Sequence, residues 1–402
     1  MVYSLKNLPP CSSRPASPST RRWLIALAAM LATGILLMRI AGRYSENKYF
    51  WAAALGVPVL LWGTIAACRL LVWMLINIRA NAYDRQRERW ILRETRRARR
   101  ALQVLNVTFI SGYPQEAQAD VVDAMLHQQN ILISRSDDSG AEGVRMSLID
   151  YSPRNDVKAA LSALFLALIV PLRMKPLAPD IPLVVFFDNT SSVPDDEITQ
   201  IWQDVWEDEE MTQPLEFADG TGPELIDRWL DERVRDNALL LIVGLQIAPP
   251  VPDNRAEVAV ALLLGNRLTQ DSLPALALLH RPDPVRGEEY EASMKMAAYN
   301  VPVQGSVIKH LWLAGMTPTQ YTGVAAHQEK HPLQAVTDET VMRLDGMMGH
   351  AGAAAPWLAL AAAAQAAQQT QLPQMIISGD ATQDVLWSTI ITPTASGQEI
   401  DA

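Results

Sequence analysis

The chain has 402 residues, of which 19% are charged and 49% hydrophobic, with a formal net charge of −10. The charged share is low and the hydrophobic share high for a soluble protein, and the acidic balance argues against general nucleic-acid binding. The only cysteines, Cys11 and Cys68, precede residue 100, so the rest of the chain has no disulfide framework, cysteine-based zinc site or cysteine nucleophile.

Residues 1–20 read as a cytoplasmic leader and 21–80 as a two-helix transmembrane anchor. Its apolar runs are WLIALAAMLATGILLM (23–38) and WAAALGVPVLLWGTIAACRLLVWMLINI (51–78). About 20 apolar residues cross a bilayer. The second run supplies them, with Arg69 inside it, and the first approaches them if Arg39 snorkels. A cleavable signal peptide is the rival reading of the first run, but Met38-Arg39-Ile40 stands where a small-residue cleavage site belongs.

The loop 41–50 carries Arg43 and Lys48, whereas the exit from the second run carries Arg79, Arg85, Arg87, Arg89, Arg93, Arg96, Arg97, Arg99 and Arg100. Positive flanks stay in the cytoplasm. This predicts a multi-pass protein of a bacterial inner membrane, with both termini and the soluble domain cytoplasmic. Residues 81–103 read as a basic juxtamembrane helix, and Arg85, Arg89, Arg93, Arg96, Arg97 and Arg100 are candidates for the membrane surface.

From residue 104 onward, short apolar strands alternate with amphipathic helices. Strands are expected at 104–112, 130–136, 144–151, 181–191, 237–247, 257–267 and 274–281, with a closing hairpin at 375–381 and 385–392. Helices are expected at 115–128, 155–172 (ended by Pro171), 195–209, 221–234 and 287–299, with an Ala-rich helix inside 337–368. Near-continuous apolar strands imply a layered α/β fold with a well-covered sheet. It divides into a first α/β half (104–215) and a second (216–402), one domain or two.

Three segments of the second half resemble the thiolase-like, ketoacyl synthase family. They are NALLLIVGLQ followed by EVAVALLLGNR, then GMMGHAGAAAPWLALAAAAQAA (346–367), and then MIISGDATQDVLWSTII. The resemblance covers residues 220–395 and implies a thiolase-like fold. The family's condensing chemistry needs a thiolate at a strand-to-helix turn with histidines beside it. Here there is no cysteine, Asp345-Gly346 replaces the family's Lys-Ser, and only His350 holds a matching place. The resemblance therefore implies a degenerate, non-catalytic version with His350 as a remnant pocket residue. The layout is also similar to that of adaptor proteins that accompany lipase effectors in bacterial type VI secretion. That likeness implies a protein partner, an effector or spike component.

Other chemistry has weaker support. Ser306 and His310 would share a face if helical, and His327 and His331 flank the sequence HQEKH, which is followed by Pro332. Neither spacing matches a hydrolase or zinc motif, and no P-loop or dinucleotide fingerprint is present. Trp202 and Trp206 lie four apart beside Glu207 and Asp208. They pack on the sheet if buried, or make an aromatic anchor ringed by acids if exposed. The sequence reading is thus a non-catalytic, membrane-anchored adaptor with protein and lipid partners and no cofactor, metal or nucleic acid. The alternative is a membrane-tethered thiolase-like acyl-transfer enzyme or acyl-binding module.

Overall fold

The computed structural model describes residues 8–40, 48–114, 118–135, 143–151, 156–173, 181–251, 253–266, 268–269, 274–301, 305–380 and 383–394. The chain forms two compact units, Met1–Arg96 and Arg97–Ala402.

The first unit contains a helix at Thr20–Ile40, a short helix at Lys48–Trp51, a π-helical turn at Ala52–Gly56 and a 42-residue helix at Val57–Ala98. The first and last pack as a hairpin because small residues let their backbones meet. A Cβ added at Gly34 would stand 2.5 Å from the Ala54 carbonyl oxygen. Trp23 and Trp62 meet edge to face at 6.3 Å, and the Trp62 indole N–H donates to the Trp23 carbonyl at 2.9 Å. Both helices are long and apolar enough to cross a membrane, and the most apolar stretch of each is not buried within the chain. The basic segment continues the long helix and stops at Ala98, because residues 101–103 already belong to a strand rather than to the expected helix.

The second unit is built on an 11-stranded sheet. Its strands are β1 (Ala101–Ser111), β2 (Leu183–Asn189), β3 (Leu215–Phe217), β4 (Leu239–Gln246), β5 (Val258–Gly265), β6 (Ala277–His280), β7 (Asp283–Val285), β8 (His310–Ala314), β9 (Val341–Arg343), β10 (Gln374–Asp380) and β11 (Gln383–Pro393). The spatial order is β9-β8-β10-β11-β6-β1-β5-β4-β2-β3, with β7 paired to β11.

This order contains one pattern twice. The first half extends through β5 rather than ending at residue 215: in it β3, β2 and β4 run parallel, β5 is antiparallel to β4, and β1 is antiparallel to β5. In the second half β9, β8 and β10 run parallel, β11 is antiparallel to β10, and β6 is antiparallel to β11. The halves join where β1 pairs antiparallel with β6. A separate three-stranded sheet joins Ile133–Arg135, Val144–Ser147 and Arg255–Ala256.

The helices of this unit are α1 (Gln118–Leu126), α2 (Val157–Arg173), α3 (Asp195–Asp208), α4 (Glu224–Glu232), α5 (Tyr290–Asn300), α6 (Pro318–Ala325), α7 (Leu344–Met348) and α8 (Ala355–Thr370). Successive strand residues point to opposite faces, so buried β4 feeds two cores. Leu240 and Ile242 enter the core with α1, α4 and α8, while Leu239, Leu241 and Val243 enter the one with α2 and α3. A third core packs β8, β10 and β11 against α5 and α6. Helix α8 is apolar on every side and accordingly buried almost throughout. Its alanines allow close approach: a Cβ added at Gly244 of β4 would already stand 2.8 Å from Trp357.

Several elements depart from expectation for physical reasons. Pro171 lies inside α2, whose last turn continues to Arg173, rather than ending the helix. Strands β8 and β9 were not expected; their short runs HLWLA and VMR gain strand character from parallel neighbours. Gly305–Val307 forms a 3₁₀ turn and His310 opens β8, so Ser306 and His310 do not share a helical face.

An ion network stands on α4. The Arg281 guanidinium, 1% exposed, reaches Asp227 at 2.5 Å and Asp231 at 2.7 Å. Arg97 also pairs with Asp231, and Arg100 donates to the Leu230 carbonyl at 2.8 Å. Burial alone would raise the Asp231 carboxyl, but hydrogen bonds from Arg97 and Arg281 outweigh it and bring it to about 2. Arg97 and Arg100 are therefore held by protein groups, whereas Arg85, Arg89, Arg93 and Arg96 are exposed.

Candidate functional site

The third strand of each half leads into a helix, and the two turns differ in chemistry. In the second half, β9 leads into α7 and then through Gly349 and His350 to α8. Gly349 has φ 97°, and a Cβ there would stand 2.8 Å from the Arg255 backbone. This close approach lets the His350 N–H donate to the Asn254 carbonyl at 2.8 Å. The His350 carbonyl accepts from the Ala256 N–H at 3.0 Å and from the Gln246 amide at 2.6 Å. Gly352, at φ 56°, sits where a Cβ would be 2.1 Å from both the Gln246 and Thr190 side-chain oxygens. The Thr190 hydroxyl accepts from the Ala353 N–H at 3.1 Å. The backbone around His350 is thus fixed by groups from β4 and the end of β2.

The side chains around His350 converge on Asp345, which is 8% exposed. Its Oδ1 accepts from the Gly315 N–H at 3.0 Å and stands 3.4 Å from His350 Nδ1. Its Oδ2 accepts from the Met316 N–H at 3.0 Å and from the Tyr321 hydroxyl at 2.7 Å. Hydrogen bonding to Asp345 raises the His350 imidazole above its ordinary value, against the opposing effect of burial. Burial, reinforced by Asp345, pushes the Tyr321 phenol up, so Tyr321 stays a donor at neutral pH. With Nδ1 turned to Asp345 and the side chain 40% exposed, Nε2 is the nitrogen available to a bound molecule.

In the first half, β3 leads through residues 218–223 to α4. The hydroxyl-bearing residue of this turn is Thr221, with no serine or cysteine beside it. Asp188 braces the turn, accepting from the Gly222 N–H at 3.2 Å and the Trp357 indole N–H at 2.7 Å. A thiolate step has no residue to carry it here.

The remaining candidates separate. Trp202 and Trp206 are 0% and 3% exposed and stack at 6.2 Å in the α3 core, which leaves Glu207 and Asp208 alone at the surface. The aromatic half of the expected partner surface is therefore buried. His327 bonds the Gly323 carbonyl and lies 3.7 Å from Glu291. Among the described residues, no three metal-ligating side chains cluster. Sequence reasoning singled out His350 but missed Tyr321, Gln246 and Thr190, and it read Asp345 only as a departure from a motif. The available signal was a carboxylate five residues before a histidine, with glycines between.

No family model and no curated protein matches the sequence. Solved structures do match the fold. A PfaC keto synthase–chain length factor is 8% identical with a TM-score of 0.50, covering 75% of this chain and 43% of its own. The chain thus corresponds to less than half the length of that relative. The ishigamide ketosynthase/chain length factor is 13% identical with a TM-score of 0.52, covering 73% of this chain and 99% of its own. A human mitochondrial 3-ketoacyl-CoA thiolase in complex with CoA is 9% identical with a TM-score of 0.46, covering 74% and 99%. The two matches with TM-scores of 0.50 and 0.52 are to ketosynthase/chain length factor folds and not to an adaptor, so they correct the adaptor reading in favour of the fold named by its alternative. The chain has a mixed, layered α/β fold of the thiolase-like, ketosynthase type.

Proposed function

We propose that this chain is a membrane-tethered, thiolase-like protein that transfers an acyl group from a thioester directly to a bound acceptor, without a cysteine-linked intermediate. The observation that carries this reading is the His350–Asp345–Tyr321 cluster, fixed by backbone bonds at a strand-to-helix turn. Asp345 orients the imidazole, and His350 Nε2 removes the proton from an acceptor hydroxyl, amine or water. The acceptor heteroatom attacks the thioester carbonyl, the C–S bond breaks, and the imidazolium returns the proton to the leaving thiolate. The turn at 218–223, which lacks a thiol, favours this direct route over a covalent one.

The two apolar helices act as the tether. The arginine-rich exit argues for the cytoplasmic face, with Arg85, Arg89, Arg93 and Arg96 near anionic headgroups.

The test uses the full chain in lipid nanodiscs with acyl-CoA donors of graded length, and it measures thiol release and intact protein mass. His350→Ala is expected to lower turnover by about 10²–10⁴-fold, the usual contribution of a general base, with no acyl adduct on the wild type. A covalent adduct would overturn the direct route. Acyl-CoA binding without thiol release would replace transfer with simple acyl binding.

A further inference from the structure

A pocket lies on the face of the second half opposite α8, under α6 at the β8–β9 edge. Its volume is about 230 Å³, and its floor is Leu311 and Leu313 of β8, Val341 of β9 and Val324 of α6. All four floor residues are buried. Tyr321, Thr322, Gln328 and Arg343 also line it, and so does Ala325, which is exposed. Arg343 is exposed, and among the described residues no carboxylate lies within ion-pair distance of it. His350 does not line this pocket.

An apolar floor with one cation at the wall selects an amphiphile with a small anionic head. A guanidinium holds a carboxylate through two parallel N–H···O bonds. The volume falls below the roughly 300–1,000 Å³ of pockets for drug-sized ligands, which limits the tail to a short chain. The neighbouring strands give the floor its form: Leu311 pairs with Val341 and Leu313 with Arg343, so all four project to the same side of the sheet.

Tyr321 connects this pocket to the candidate site. Its ring lines the wall while its hydroxyl donates to Asp345 Oδ2, and Asp345 Oδ1 faces His350. We propose that the pocket binds a short-chain aliphatic carboxylate, its head on Arg343 and its tail on Leu311, Leu313 and Val341, and that occupancy is transmitted to His350 through Tyr321 and Asp345. Binding here does not require turnover at His350, so the two readings fail separately.

The test titrates hexanoate into the full chain in nanodiscs by calorimetry and follows the His350 ring signals by NMR, assigned with His350→Gln. Saturable millimolar or tighter binding is expected. Arg343→Leu should weaken it by about tenfold or more, the loss of one charge-assisted pair. Hexan-1-ol should bind as weakly as hexanoate binds the Arg343→Leu protein. Ala325→Trp, which enlarges an exposed lining residue rather than the floor, should abolish binding. Tyr321→Phe should retain binding but lose the His350 response to hexanoate. Equal affinity in wild type and Arg343→Leu, equal binding of the alcohol, or binding unchanged by Ala325→Trp would overturn the site. Hexanoate binding that leaves the wild-type His350 signals unmoved would overturn the coupling.

Discussion

The two halves of the sheet repeat one pairing pattern yet end in turns of different character. In the first, Asp188 receives a backbone N–H and an indole N–H, both neutral donors that do not titrate. In the second, Asp345 receives two backbone N–H groups and a phenol and faces an imidazole. Each carboxylate braces a turn, and Asp345 faces in His350 a partner that can take up and release a proton near neutral pH. The backbone pattern therefore does not assign chemistry; the donors around each carboxylate do.

The sharpest way to break the second turn is by size. Gly352→Ala forces a Cβ within van der Waals distance of Gln246 and Thr190 at a positive φ, whereas Gly346→Ala meets only the Arg343 Cβ at 4.0 Å. Gly352→Ala displaces the Gln246 and Thr190 side chains from their hydrogen bonds and is expected to cost about 2–4 kcal/mol in denaturant unfolding, and Gly346→Ala to cost less than about 1 kcal/mol. Comparable effects of the two would remove the packing argument for the His350 turn.

Arg281→Met tests what joins the halves, since Arg281 follows β6 while Asp227 and Asp231 lie on α4. Asp231 keeps Arg97, so the loss is that of the charged hydrogen bonds made by Arg281 and costs about 1–3 kcal/mol. The loss should shrink as pH falls through about 3.8 toward about 2, where the Asp231 carboxylate protonates. A loss independent of pH across that window would assign the effect to packing alone.

The smallest effect is the most informative about the comparison. His350 has a raised folded-state value, so its interaction with Asp345 stabilises the fold below the unfolded value and is lost as pH rises through the folded one. Asp345→Asn should therefore destabilise most near about pH 6 and progressively less toward about pH 8, in the histidine range. Asp188→Asn leaves the His350–Asp345 pair in place and should not reproduce that dependence. If acyl transfer is measurable, Asp345→Asn should also move its acidic limb to lower pH, and Asp188→Asn should not. Parallel pH profiles for the two variants would erase the distinction between the turns.

The sequence made the core around β4 and β5 legible because both are long apolar runs between turn signals and α8 is apolar from Ala355 to Ala364. It hid β8 and β9, whose five and three residues become strands only through neighbours distant in the chain. The site was half visible for the same reason. His350 stood in a motif, but Tyr321 is 24 positions before Asp345 and Gln246 is 104 before His350, separations that no local spacing rule spans. The buried stack of Trp202 and Trp206 followed the 3.6-residue period, and which face that period buries was decided by the sheet beneath.

Both ends of the large sheet are strands of only three residues, β3 and β9. An exposed edge offers unpaired N–H and C=O groups to any extended chain that meets it, the first step of domain swapping or amyloid growth. Cutting each edge to three residues leaves too few free groups to template a partner strand. A sheet of this width is thereby blunted at both margins, and lengthening either edge by a few β-branched residues would be the quickest way to make the protein self-associate.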